Sequence, residues 1–335
     1  MNKFLLCCMI VFHFAGCSAP ASSFKNLEPT PNKSFVDIFR WRFLGSRDDW
    51  PDWVESKQYK PEIMRNHSTT EIMYSVVNHS TILIQWHGLN ILTDPIYSER
   101  SSPLSWIGPK RVRKPGISFD DLPPIDLVLI SHNHYDHLDL ETLKRLQKRD
   151  NPEILIGLEN GHLLRSEEIE NYKEFDWWDS IDKGGLKITF VPARHWSARG
   201  LFDRKETLWG GFSLQDDQGT HVYFAGDTGY GNFFKKIVNI LGPVHLSFLP
   251  IGAYAPRWFM KYHHMDPEDA IKAHKVIHSR RSVGVHFETF RLTDESYEAP
   301  RQTLNELWSK EVDPKSEFIA PEFGKTYTFK SIGNL

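Results

Sequence analysis

Apolar residues along this chain fall into short runs separated by turn residues, with a few stretches of helical spacing between them. Thr81 to Trp86 reads as a strand, His87-Gly88 as a turn, and Leu89 to Asp94 as a second strand. Ile125 to Ile130 is a continuous apolar, β-rich run, the pattern of a strand buried on both faces. Asp139 to Lys148 has helical spacing, with Leu140, Leu143 and Leu146 on one side. Ile154 to Ile156 and Leu186 to Val191 are further strands. Gly210 to Leu214 and His221 to Ala225 form a hairpin pair, and His245 to Ile251 is again a strand. Pro267 to His278 is helical, and Val283 to His286 ends another strand. Strands followed by helices in both halves predict an α/β protein with helices outside two sheets.

The ends of the chain break this rhythm. Lys3, the apolar run Phe4 to Phe14 and the small residues Ala15-Gly16 have the anatomy of an export signal, too short to span a bilayer as a permanent helix. Phe14-Ala15-Gly16-Cys17 is similar to a bacterial lipoprotein signal, in which the Cys becomes the lipidated first residue. The division expected is a signal at 1–16, a tether and irregular arm at 17–65, and a catalytic domain at 66–335. With Ser18 after the Cys, the expected place is the outer membrane, facing the periplasm. All three cysteines, Cys7, Cys8 and Cys17, lie in this segment, so any metal site must be built from His and carboxylates. The tryptophans of the arm, Trp41, Trp50 and Trp53, read as packing on the domain surface. The chain has 335 residues and a formal net charge of -3, which gives no bulk attraction for nucleic acid.

The chemistry concentrates in His132-Asn133-His134-Tyr135-Asp136-His137, directly after an apolar strand and before a helix. Alternation along an extended segment aims His132 and His134 to one side, and the turn into the helix sends Asp136 and His137 to a neighbouring position. Imidazole and carboxylate suit zinc, and two adjacent ligand sets suit two ions. One loop cannot complete two sites. Candidates for the rest are His195, Asp227 and His286, each just past an apolar β run. Each alone fits a hydrogen-bonded loop residue as well; beside the first motif they read as the remaining ligands.

These residues resemble the signature of the metallo-β-lactamase superfamily. More narrowly, the chain is similar to the N-acyl-phosphatidylethanolamine-hydrolysing phospholipase D family and its bacterial relatives, over about residues 75 to 310. The segments are Leu92 to Ile96, Gly108 to Val112, His195 to Arg199, Leu208 to Gly211, Phe224 to Tyr230 and Ile251 to Met260. The resemblance implies the four-layer αββα sandwich. It also implies one metal on His132, His134 and His195, a second on Asp136, His137 and His286, and Asp227 shared between them. His264 stands where the family has a further active-site His, suited to bind phosphate or protonate a leaving group. Asp94 reads as a turn-fixing or supporting residue, and Arg257 as either a phosphate partner or half of a salt bridge. His79, His221, His274 and His278 match no ligand position and read as structural. Where the family carries a late His-Gly-Glu, this chain has Phe323-Gly324-Lys325.

The expected activity is a phospholipase D-type hydrolysis of N-acyl-phosphatidylethanolamine, dependent on two divalent ions, zinc by the ligand set. Two such ions sharing a water lower its pKa, so hydroxide is available near neutral pH, and Asp136 is placed to accept a proton from it. The competing readings are a lactone or ester hydrolase of the same fold, and a non-catalytic envelope lipoprotein with a residual metal site.

Overall fold

The apolar runs become the central strands of two sheets. The computed structural model describes residues 23–31, 33–64, 69–311 and 315–330. The signal segment, Cys17 and Ser18 lie outside the described residues. The first half supplies β1 (Glu71–Asn78), β2 (Thr81–Trp86), β3 (Leu89–Thr93), β4 (Leu127–Ile130), β5 (Glu153–Gly157) and β6 (Tyr172–Phe175). The second half supplies β7 (Ser180–Lys183), β8 (Leu186–Val191), β9 (Gly211–Gln215), β10 (His221–Phe224), β11 (Leu246–Pro250), β12 (Arg281–Val285) and β13 (Glu317–Ile319). A last strand, β14 (Tyr327–Lys330), returns to pair antiparallel with β1. Both sheets have seven strands, ordered β14-β1-β2-β3-β4-β5-β6 and β13-β12-β11-β10-β9-β8-β7.

Each half follows one plan. Hairpins come first and pair antiparallel, through β3 in one sheet and through β10 in the other. The strands that follow are parallel, and the longer connections between them carry helices. The helices are α1 (Phe35–Leu44), α2 (Leu140–Arg149), α3 (Gly161–Ser166), α4 (Phe233–Leu241), α5 (Arg257–Met260), α6 (Pro267–Val276) and α7 (Ala299–Trp308).

Strand β4 shows why the runs are continuous. Leu127 and Leu129 join the core between the sheets with Trp86, Phe190, Phe212 and Phe248, while Val128 and Ile130 pack with Leu143, Leu146 and Leu164 of α2 and α3. A strand covered on both faces has no solvent side to mark with polar residues. Burying each large apolar side chain stabilises the sandwich by about 1.5–3 kcal/mol. Ala270, Ile271 and Ala273 of α6 and Leu304 of α7 cover the other sheet. The result is the expected αββα order.

Two expectations need correction. The strand placed at Ile125 starts at Leu127, because the Ile125 N–H turns out of line to bond Asp150 Oδ2 at 3.0 Å. The arm read as irregular contains α1, started by a reciprocal cap between Ser34 and Asp37. Two of its three tryptophans do pack on the surface. Trp41 stacks on Phe259 with its indole N–H on Asp294, and Trp50 donates to the Glu295 carbonyl. Trp53 stays 41 % exposed. No described helix is long and apolar enough to cross a membrane.

Candidate metal centre

The loops that leave β4, β8, β10 and β12 meet at one edge of the sandwich. They carry His132 to His137, His195, Asp227 and His286 there from both sheets. All seven residues proposed from the sequence are brought together.

Their donor atoms form two adjoining sets. His132 Nε2 and His195 Nε2 lie 2.8 and 3.2 Å from His134 Nδ1. Four tetrahedral bonds of about 2.05 Å to zinc span edges of about 3.3 Å, so three such nitrogens fit one ion. In the second set, Asp136 Oδ2 lies 3.3 Å from His286 Nε2 and 3.4 Å from His137 Nε2. Asp227 Oδ2 is 3.1 Å from His286 Nε2, 3.2 Å from His137 Nε2 and 3.9 Å from His195 Nε2, so it borders both sets. His264 closes one side, its Nδ1 3.7 Å from Asp227 Oδ2.

The electrostatics suit cations. Burial holds His132 and His195 well below the ordinary histidine range and pushes His134 down to about 4. A neutral imidazole is the form that ligates. Burial opposes ionisation of Asp136 and Asp227, but the imidazoles around them, His137 foremost for Asp136 and His286 for Asp227, hold both well below the carboxylate range. Burial also opposes charge on His286, and Asp227 and Asp136 outweigh it, raising the group to about 9. The two carboxylates thus draw positive charge to one point, the demand a divalent cation meets. Asp227 Oδ1, also buried, has no hydrogen-bond partner among the described residues. Geometry, donor chemistry and this orphaned oxygen all fit a metal centre.

The sequence matches the beta-lactamase superfamily domain over residues 89–287. The chain belongs to that superfamily. Within it, the chain is 37% identical over 275 residues to N-acyl-phosphatidylethanolamine-hydrolyzing phospholipase D 1 of Caenorhabditis elegans, covering 78% of this chain and 77% of the relative. It is 34% identical over 250 residues to the mitochondrial N-acyl-phosphatidylethanolamine-hydrolyzing phospholipase D of Saccharomyces cerevisiae, covering 73% of this chain and 53% of that protein. Among solved structures, the metallo hydrolase Igni18 of Ignicoccus hospitalis superposes with a TM-score of 0.57 at 22% identity, over 78% of this chain and 99% of that one, a likeness of fold. The chain is a metal-dependent hydrolase of the metallo-β-lactamase fold.

The candidate site rests on a second ring of contacts. Asp94, buried at the end of β3, accepts the Ser131 N–H at 2.7 Å, the Ser131 Oγ–H at 2.6 Å and His137 Nδ1–H at 2.7 Å. Since the Ser131 proton goes to Asp94, Ser131 Oγ accepts His132 Nδ1–H at 2.9 Å. His195 Nδ1–H donates to the His263 carbonyl at 3.0 Å. In all three histidines the outer nitrogen is occupied and Nε2 is turned inward. Arg257 pairs with Asp266 and Asp269 and donates to the His264 carbonyl at 2.9 Å, so the salt-bridge alternative is the one realised.

His79 corrects the sequence reading. It sits in the β1–β2 turn, fully buried, and its Nε2–H donates to Asp136 Oδ2 at 3.0 Å. Its backbone carbonyl also accepts the His286 N–H at 2.8 Å. His79, Asp94 and His286 all have positive φ, of 42°, 33° and 63°. Non-glycine residues held there cost on the order of 1–3 kcal/mol each, and such strain clusters at functional sites. By contrast His221 bonds Ser213 and His274 bonds Ser282, both within the folded core, as expected of structural residues.

Gly226 seats the Asp227 loop. Its φ is +60°, and a Cβ there would lie 2.5 Å from Ser131 Cβ and 2.9 Å from the Gly210 carbonyl oxygen. Gly226→Ala is expected to destabilise the protein by about 2–4 kcal/mol through strain and backbone clash. Denaturant unfolding with chelator present measures it; an unchanged midpoint would contradict the packing described.

Proposed function

We propose that this protein is a binuclear zinc-dependent phosphodiesterase of phospholipase D type, which releases N-acylethanolamine from N-acyl-phosphatidylethanolamine. The observation that carries the reading is the pair of donor sets sharing Asp227, in a chain related to proteins named for that activity. His132, His134 and His195 would hold one ion and Asp136, His137 and His286 the other, and Asp227, which borders both donor sets, would serve both. When bound, two divalent ions supply an activated water and neutralise charge that grows on phosphoryl oxygens. Asp136 orients the attacking water by accepting its proton, and His79 fixes the Asp136 carboxylate for that task. His264 faces the same space and offers an N–H to a phosphoryl or leaving-group oxygen.

Lipidation of Cys17 tethers the enzyme to the outer membrane on its periplasmic side. Asn26, the first firm contact with the site, follows Cys17 by nine positions, at most about 32 Å of extended chain. The tether therefore keeps the centre close to its lipid substrate.

Incubation with N-acyl-phosphatidylethanolamine in mixed micelles is expected to yield phosphatidic acid and N-acylethanolamine, both read by mass spectrometry. Chelator abolishes the release and added zinc restores it. No release by protein carrying two metal equivalents would overturn the substrate assignment, and a panel of lactones and esters would then identify the bond.

A further inference from the structure

His195 lies in a stretch, residues 192–198, that belongs to no helix or strand. Its backbone is gripped instead by a residue 169 positions earlier. Asn26 Nδ2 donates to the His195 carbonyl at 2.9 Å, and Asn26 Oδ1 accepts the His195 N–H at 3.1 Å. The second Nδ2 proton goes to Thr30 Oγ1 at 3.2 Å, and Oδ1 also accepts the Trp209 indole N–H at 3.1 Å. A carboxamide has two donors and two acceptor sites, and all four are used.

The arm around Asn26 is fastened at several points. The Phe24 N–H bonds the Lys205 carbonyl at 2.8 Å, the Phe233 N–H bonds Glu28 Oε1 at 3.1 Å, and Arg194 Nη2 donates to the Pro29 carbonyl at 2.7 Å. With His195 Nδ1 on the His263 carbonyl, the backbone N–H, the backbone carbonyl and the outer ring nitrogen of His195 are all held. Only Nε2 is left, directed at His134.

We propose that Asn26 is a positioning residue for His195, so that the amino-terminal arm completes the His132–His134–His195 triad. The inference rests on the metal reading above. Asparagine is needed because the grip requires a donor and an acceptor on one planar group. Aspartate keeps the acceptor and sets a carboxylate against a carbonyl oxygen. Glutamine is a carbon too long to face the same peptide. Alanine loses both bonds.

The test uses the full chain and four variants: Asn26→Ala, Asn26→Asp, His195→Ala, and Leu27→Ala as a neighbour in the same arm that is 45 % exposed. Zinc affinity is measured by competition with a chromophoric chelator, metal content by mass spectrometry, and unfolding with chelator in excess. Supporting contacts around metal ligands are worth about 10–100-fold in affinity. Both Asn26 variants are expected to lose that much at one of two ions, with little change in the melting of chelated protein. Leu27→Ala behaves as wild type. Wild-type zinc affinity in both Asn26 variants overturns the proposal. So does a loss of fold in chelated protein matching the loss in the metal form, because Asn26 would then be only structural. His195→Ala separates the two readings: if it too leaves metal content unchanged, the metal assignment itself has failed.

Discussion

Asp227→Ala is expected to lower kcat/KM by about 10³-fold or more and to reduce bound metal from two equivalents to one or fewer. A two-metal centre contributes several kcal/mol of charge stabilisation to the transition state, and about 4 kcal/mol corresponds to that factor. Asp227 is the residue on which this depends most, because its Oδ2 borders both donor sets, 3.1 Å from His286 Nε2 and 3.9 Å from His195 Nε2. Each of the other candidate ligands is proposed for one ion. The carboxylate also offsets the crowding of His137, His195, His264 and His286 around it. Removing it leaves Asp136 as the remaining carboxylate at the centre, with no carboxylate between the two sets. Metal analysis together with hydrolysis kinetics checks the prediction. A variant that keeps two metal equivalents and the wild-type rate would remove Asp227 from the mechanism. His132→Ala, which strips one set only, serves as the comparison.

Asp94→Ala is expected to destabilise the protein by about 3–5 kcal/mol and to weaken metal binding about 10–100-fold. Asp94 touches no proposed metal position, yet it accepts three hydrogen bonds from Ser131 and His137 in a fully buried setting. Truncation strands the Ser131 N–H, the Ser131 hydroxyl and His137 Nδ1–H, each of which then carries its own desolvation cost. Freed from Asp94, His137 can also rotate or change tautomer, and Nε2 no longer points reliably inward. Unfolding in the presence of chelator isolates the stability term; zinc competition isolates the affinity term. Unchanged zinc affinity in a folded variant would show that Asp94 supports only the turn. Asp94→Asn is the milder test, since it keeps the shape while removing the charge beside His137 and replacing one acceptor by a donor.

The parts of the site that were legible in the sequence are those whose signal is local. His132, His134, Asp136 and His137 fall within one strand-to-helix loop, and the spacing of a strand's side chains already separates them into two groups. His195, Asp227 and His286 could be nominated because each follows an apolar run. The central strands β2, β4 and β11 were legible for a similar reason, since burial on both faces leaves an unbroken apolar run. The edge strands were not. β7 reads Ser-Ile-Asp-Lys with no residue fully buried, and β6 and β14 each bury one. Such strands exist because a neighbour offers its backbone, and no short window of sequence records that offer.

The cluster His132 to His137, the candidates His195, Asp227 and His286, and the layered fold were therefore legible in the sequence alone, through residue chemistry, the periodicity of local structure and the family resemblance. Tertiary structure decided the rest. His79 reaches Asp136 across 57 positions, and Asn26 reaches His195 across 169. Neither carries a local mark, because a hydrogen bond between distant segments depends on where two sheets and an arm close on one another. Which nitrogen of each histidine faces inward was decided the same way, by Asp94, Ser131 and the His263 carbonyl taking the other.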